Sequence, residues 1–300
     1  MLAEKWMNYQ ESFIDYLKYE KRNSSHTVTA YKKDLDQFVL FCTERVGEFD
    51  VKRVDAKLVR SWIVSLMEQQ YTPRSVNRKI STVKAFFRFL MKNEVVENNP
   101  AVNIPVPKIR KRLPNFVEEN NLHHLLDDGF FPDDFSGIRD KLIITLLYGT
   151  GIRLAELLQL KERDFDTSGY LMKVLGKRQK ERIIPYPRSI NQLLQQYVEI
   201  RNREIGNCCE ALLVTVKGEP VYEKLIYRVV NKYLEKVTSL EKKSPHVLRH
   251  SYATHLLNRG ADLNAIKELL GHSNLSATQI YTHTTFEKLH NIYKQAHPRG

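Results

Sequence analysis

No stretch of this 300-residue chain approaches the roughly 18 consecutive apolar residues of a membrane span, so no transmembrane helix is expected. The opening Met1-Leu2-Ala3-Glu4-Lys5-Trp6 runs directly into charged, helix-like sequence. It carries no apolar signal core, which argues against secretion. Cysteine is scarce, with only Cys42, Cys208 and Cys209. An odd total with two adjacent members is neither a disulfide framework nor a Cys-x-x-Cys clamp, and a reducing cytoplasm is the simplest setting. No His-Glu-x-x-His arrangement occurs. His246 and His250 stand four residues apart, but no nearby cysteine or carboxylate completes a ligand set, so neither a metal nor a cofactor is expected. Internal repeats and low-complexity tracts are also missing.

Positive charge, by contrast, is in excess, at a formal +12. Residues 1–105 hold 17 basic and 13 acidic side chains, and residues 106–300 hold 30 and 22. The excess is therefore spread over both parts rather than carried by a tail. That favours a polyanion gripped by two surfaces over a single docking arm. An ordinary basic cytosolic protein is the alternative on charge alone. The length suits one large or two ordinary domains with a sizeable core.

Apolar spacing divides the chain. Over residues 1–105, Phe13, Ile14 and Leu17, then Val28, Tyr31, Leu35, Phe38 and Val39, recur at helical intervals. Asp55 can cap a helix carrying Leu58, Trp62, Ile63 and Leu66. Thr72-Pro73 is a strong helix start ahead of Val76, Ile80, Val83, Phe86, Phe87 and Leu90. Four amphipathic helices make a small bundle. Pro100, Pro105 and Pro107 then forbid a helix and favour an extended strap. Residues 106–114, with Lys108, Arg110, Lys111 and Arg112, read as a stiff basic linker, or equally as a solvated tether. Residues 115–300 are mixed. A helix through Ile138–Tyr148 breaks at Gly149-Thr150-Gly151 and resumes at Arg153, Tyr170–Leu175 and Arg182–Tyr186 pattern as strands around a polar hairpin tip, and the remainder is mostly helical. The fold class is thus mainly α with a small β-sheet.

Seven of the ten histidines lie between His246 and His297. His246 and Arg249 share one face of a helix begun by Pro245, so an imidazole and a guanidinium can meet one phosphate. Arg153 opens a helix after a glycine break, near free backbone N–H groups, although a surface pair with Glu156 is the simpler reading of a lone arginine. His272 follows Gly271 at a helix end. Tyr281 supplies an oxygen nucleophile, yet as one of fifteen tyrosines it also reads as a core residue. Lys177 and Lys180 at the hairpin tip read alone as solvated. His250 and His255 read as structural.

In order, the segments G-T-G-I-R-L-A-E-L, V-L-G-K-R-Q-K-E-R, H-V-L-R-H-S-Y-A-T-H, L-L-G-H-S and I-Y-T-H resemble the tyrosine recombinases of the phage integrase family, and within them the bacterial Xer subgroup. The likeness extends to F-I-D-Y-L-K-Y-E-K, S-H-T-V-T-A-Y-K-K-D-L and N-R-K-I-S-T-V-K-A-F-F-R-F-L, and so covers nearly the whole chain. It implies an N-terminal helical core-binding (SAM-like) bundle over 1–105 and a mixed α/β catalytic domain over 115–300. It makes Arg153, Lys177, His246, Arg249, His272 and Tyr281 the catalytic set, with Glu156 supporting Arg153 and Lys180 as the rival to Lys177. It implies cleavage and rejoining of double-stranded DNA through a 3′-phosphotyrosine, without metal or ATP. The implied partners are a recombinase tetramer, homomeric or with a paralogue, on two duplexes, and a septal DNA translocase as activator. Chromosome dimer resolution at a dif-like site is the function expected; a mobile-element integrase and a non-cutting architectural DNA-binding protein are the alternatives. A short helix after Thr284-Thr285 is expected to dock on a neighbouring protomer.

Overall fold

The computed structural model describes residues 2–108, 115–127, 129–176, 181–206 and 209–271. The chain divides into two compact units, Met1–Arg112 and Leu113–Gly300, each with its own apolar core.

The first unit holds α1 (Leu2–Asp15), α2 (Ser25–Val46), α3 (Ala56–Glu68) and α4 (Pro73–Lys92). Three helix starts are capped by the side chains that local chemistry demands. Ser24 Oγ accepts the Thr27 N–H at 3.3 Å, Asp55 that of Leu58 at 2.7 Å, and Thr72 that of Ser75 at 3.3 Å. A π-helical turn, Tyr16–Glu20, follows α1. Phe13, Leu35, Phe38, Val59, Trp62, Ile80, Val83 and Phe86 fill the core, with Phe38 edge-on to Trp62 at 4.9 Å.

One carboxylate lies inside this bundle. Asp34 of α2 is 1% exposed and accepts from Arg78, from Lys79 Nζ at 3.0 Å and from Thr82 Oγ1 at 3.0 Å, all on α4. Lys79 is buried with it, whereas the Arg78 side chain remains 46% exposed. Arg74, Arg78, Arg88 and Lys92 lie along the exposed side of α4, a helix with no acidic residue.

The proline strap departs from the expected extended form. Residues 100–103 form a turn, and the chain then runs irregularly to Lys108. It is pinned at intervals, with Val102, Asn103, Pro105 and Val106 left exposed between the anchors. Ala101 and Ile104 enter the core, Asn99 Nδ2 donates to Lys84 O at 2.9 Å, and Asn77 Nδ2 donates to Pro107 O at 3.1 Å. Side-chain amides on and near α4 satisfy a backbone that prolines keep out of regular structure. Arg110, Lys111 and Arg112 lie outside the described residues.

The second unit is built on α6 (Phe135–Thr150), of which every residue but Ser136 and Lys141 is buried. A helix buried on all sides belongs at the centre of a domain, and its buried ion pair, Arg139 Nη2 to Asp140 Oδ1 at 2.7 Å, is internal to it. Around it stand α5 (Glu119–Asp127), α7 (Leu154–Leu157), α8 (Arg188–Glu204), α9 (Glu223–Leu234), α10 (Pro245–Asn258) and α11 (Leu263–Leu269). The sheet is antiparallel in the order β1 (Phe165–Asp166), β2 (Leu171–Leu175), β3 (Glu181–Pro185). The mainly helical fold with a small sheet is as the spacing predicts; β1 carries no signal of its own. Leu175 pairs with Glu181, Val174 with Arg182 and Met172 with Ile184. Side chains alternate across a strand, so Arg182 and Ile184 share the buried face of β3. No helix among the described residues is long and apolar enough to cross a membrane.

Candidate active site

The site begins where α6 ends. The spacing predicts a break at Gly149, but the helix continues through Thr150, whose hydroxyl donates to Leu146 O at 2.6 Å. Gly151 makes the turn, with φ +62°. A Cβ there would lie 2.4 Å from the Tyr252 ring and 2.8 Å from Leu270, so both conformation and space require glycine. Arg153 therefore stands at the N-cap of α7, not inside it. Its backbone N–H donates to Glu156 Oε2 at 2.8 Å, and its Nη1 donates to Glu156 Oε1 at 2.8 Å. The donor expected to be free for an anion is thus taken by the chain's own carboxylate.

Glu156 is 3% exposed and accepts two further bonds, from Arg182 Nη1 to Oε1 at 2.7 Å and from Arg182 Nη2 to Oε2 at 2.8 Å. Burial alone would raise this carboxyl. The Arg182 hydrogen bonds, the Arg153 N–H, the Arg182 charge and the Arg153 side-chain bond reverse that and hold it at about 2. No motif in the sequence marks Arg182 as part of the site. Its signal was an arginine in phase with Ile184, on the inward side of an alternating strand.

The end of α11 closes the site. Helices expose unpaired carbonyls at their C-termini, where cations are favoured. Here three consecutive carbonyls are each taken by a different guanidinium. Arg182 Nε donates to Leu269 O at 3.1 Å, Arg249 Nη2 to Leu270 O at 2.7 Å and Arg153 Nη2 to Gly271 O at 2.8 Å. Arg249 also donates through Nη1 to Gly151 O. Burial, and then repulsion from Arg153 and Arg182, pulls Arg249 down to about 10, so it stays charged at neutral pH. Gly271 itself has φ +64°.

Arg153 and Arg249, 96 positions apart in the chain, are thus brought to adjacent carbonyls. Pro245 starts α10 as expected, and His246 is exposed on its first turn, one turn ahead of Arg249. His250 is half-buried. His255 is 2% exposed, with Nδ1 3.0 Å from the Tyr148 hydroxyl. Burial, opposed in part by Glu119, lowers its pKa. Lys177, Lys180, His272, Tyr281 and the segment after Thr284 lie outside the described residues. Among the described residues, no three His, Cys, Asp or Glu side chains are grouped as a metal ion needs.

Residues 115–288 match the phage integrase family, and residues 11–94 match the phage integrase N-terminal SAM-like domain. The chain belongs to the phage integrase family. Members of this tyrosine recombinase class cleave and rejoin DNA. The chain is 36% identical to the tyrosine recombinase XerC of Chlorobaculum tepidum, over 96% of this chain and 94% of that protein. It is 38% identical to the XerC of Staphylococcus saprophyticus, over 97% of each. Among solved structures it is similar to XerH recombinase bound to a palindromic difH substrate in a post-cleavage complex, with a TM-score of 0.68 and 25% identity over 88% of this chain and 78% of that one. The Tn1549 transposon integrase in complex with transposon right-end DNA shares the fold, with a TM-score of 0.70 and 21% identity over 94% of this chain and 98% of that one.

Proposed function

We propose that this tyrosine recombinase acts at a specific site on double-stranded DNA through six residues, Arg153, Lys177, His246, Arg249, His272 and Tyr281. The observation that carries the reading is the convergence of Arg153 and Arg249 on the carbonyls of Gly271 and Leu270, immediately before His272 in the chain. Two guanidiniums with fixed neighbours provide charge where a phosphoryl group gains it in the transition state. Tyr281 Oη attacks the scissile phosphorus in line and forms a 3′-phosphotyrosine. The phenolic proton passes by way of His246, and Lys177 protonates the departing 5′ oxygen. His272 hydrogen-bonds the phosphate. Because the ester bond is kept, the 5′ hydroxyl of a partner strand can reverse the step without ATP.

The likeness to XerC proteins over nearly the full chain supports a role in resolving chromosome dimers at a dif-like site. The working unit would be a tetramer, alone or with a paralogue, on two duplexes, activated by a septal DNA translocase. A chromosomal substrate would place it in the cytoplasm. The basic side chains along the exposed side of α4, a helix with no acidic residue of its own, support a backbone grip by the first unit as well as the second.

The deciding experiment uses nicked suicide duplexes carrying a dif-type site. Tyr281→Phe should form no covalent adduct while binding DNA almost as well as the native chain. A substituted protein that still forms the adduct refutes the nucleophile. A 5′-bridging sulfur leaves without protonation, so it should rescue Lys177→Ala but not Arg249→Ala. Rescue of Lys180→Ala instead would move the acid to that residue.

A further inference from the structure

We propose that Arg182 is a positioning residue for the arginine pair, acting through Glu156 and the end of α11. This rests on the recombinase reading for the roles of Arg153 and Arg249.

Arg182 does not serve as another phosphate ligand. Its side chain is 6% exposed, and all three nitrogens are committed inward, two to Glu156 and one to Leu269 O. What it does is set a plane. A guanidinium fork on both carboxylate oxygens fixes the rotation of that carboxylate, which a lysine's point charge cannot do. The carboxylate so held receives the backbone and Nη1 of Arg153, leaving the direction of that guanidinium no freedom. The Nε arm holds the first of the three carbonyls whose successors take Arg249 and Arg153. Arg182 therefore touches both supports of the pair, the carboxylate and the helix end. The helix end is fitted to it, since a Cβ on Gly271 would come within 3.2 Å of the Arg182 guanidinium.

Charge gives a second consequence. Glu156 is faced by Arg153 before α7, Arg182 on β3 and Arg249 on α10. Burial is the largest influence on it, and Arg182 is the leading counterweight. Without Arg182 the carboxyl takes up a proton at higher pH and can no longer hold Arg153 through both oxygens.

The test compares Arg182→Lys, Arg182→Gln and Arg182→Met with the native full-length chain on a nicked dif-type duplex. Arg182→Gln should slow single-turnover cleavage by about 100-fold, the scale of a misplaced reacting group. Its DNA affinity should stay within about threefold, because no phosphate contact is lost. Arg182→Lys should recover part of the rate, since charge returns without the fork. In Arg182→Met the acid-side fall of the cleavage rate should move to higher pH. The double variant E156Q/R182M removes the unpaired buried charge; it should fold and still cleave slowly. Native cleavage by the double variant or by Arg182→Gln overturns the proposal, as does parallel loss of affinity and rate.

Melting tests the linkage without turnover. Without Arg182 the Glu156 carboxyl moves up from about 2, and the stability that the native chain gains as pH rises is reduced, so the Tm deficit of Arg182→Met relative to native should widen from about pH 3 to about pH 5. A native chain that forms no adduct sinks the recombinase reading, while a melting profile of Arg182→Met parallel to native sinks the role of Arg182.

Discussion

In each unit of this protein one buried carboxylate is given two basic side chains, one enclosed and one reaching outward. In the first unit Asp34 holds Lys79, 8% exposed, and Arg78, 46% exposed. In the second Glu156 holds Arg182, 6% exposed, and Arg153, 32% exposed. The sources of these side chains differ. Arg78, Lys79 and Thr82 come from successive turns of one helix, so the Asp34 cluster forms when two helices pack. The Glu156 cluster needs a helix cap, an inward strand position and the end of α11, and it ties in Arg249 as well. A carboxylate fed by one helix fixes a basic side chain on a rigid face. A carboxylate that takes guanidiniums from a helix cap and a strand, both also tied to the end of α11, fixes the direction of a guanidinium against a second one. The first suits a grip on a backbone, the second a reacting phosphate.

The sharpest way to break this comparison is to remove the outward cation from each unit. Arg249→Ala or Arg153→Ala should lower single-turnover cleavage by about 100- to 1,000-fold at saturating DNA, in EDTA as in its absence. Arg78→Ala should leave cleavage at saturation nearly native. Equal losses in both units would erase the distinction.

Removing the carboxylates tests the same contrast in stability. Glu156→Ala strands a buried guanidinium and should cost about 3–5 kcal/mol by denaturant unfolding. Asp34→Ala should fall at or below the lower end of that range, because Arg78 can turn to water while only Lys79 and Thr82 stay enclosed. A larger loss at Asp34 would reverse the ranking.

The pH dependence follows from the sign of the shift. Glu156 is held at about 2, below its unfolded value. Its contribution is present above about pH 4.5 and is lost as pH falls toward about 2. The Tm difference between the native chain and Glu156→Gln should therefore stay level from about pH 7 to about pH 5 and shrink only in more acid solution. A difference that collapses near neutrality contradicts the bond set around Glu156.

The smallest effect concerns binding. If Arg78 meets a phosphate, Arg78→Ala should reduce the slope of log affinity against log salt by about 1, uniformly across sequences. An unchanged slope would mean that Arg78 meets no phosphate.

Residues that act within a few positions of their partners were legible in the chain. Asp55 and Thr72 cap because an oxygen three residues ahead of a free N–H can do little else. Pro245 starts α10 because a fixed φ without an N–H suits that position. Helical and alternating apolar periods marked the bundle and the two longer strands. His246 and Arg249 were legible as one face of one helix. Resemblance, rather than spacing, drew Arg153, Lys177, His272 and Tyr281 into one set.

What only the tertiary structure decided is who holds whom. Arg182 reaches Glu156 across 26 residues and Leu269 across 87, and Arg153 reaches Gly271 across 118. Nothing in a strand's period says that its inward arginine will find a buried carboxylate. The proline strap likewise reads as extended chain until Ala101 and Ile104 are seen in the core. The sequence determined caps, periods and the types of side chain available, since those follow from backbone geometry over one or two turns. Packing chose the partners, because a buried charge is tolerated only where other elements bring it enough donors.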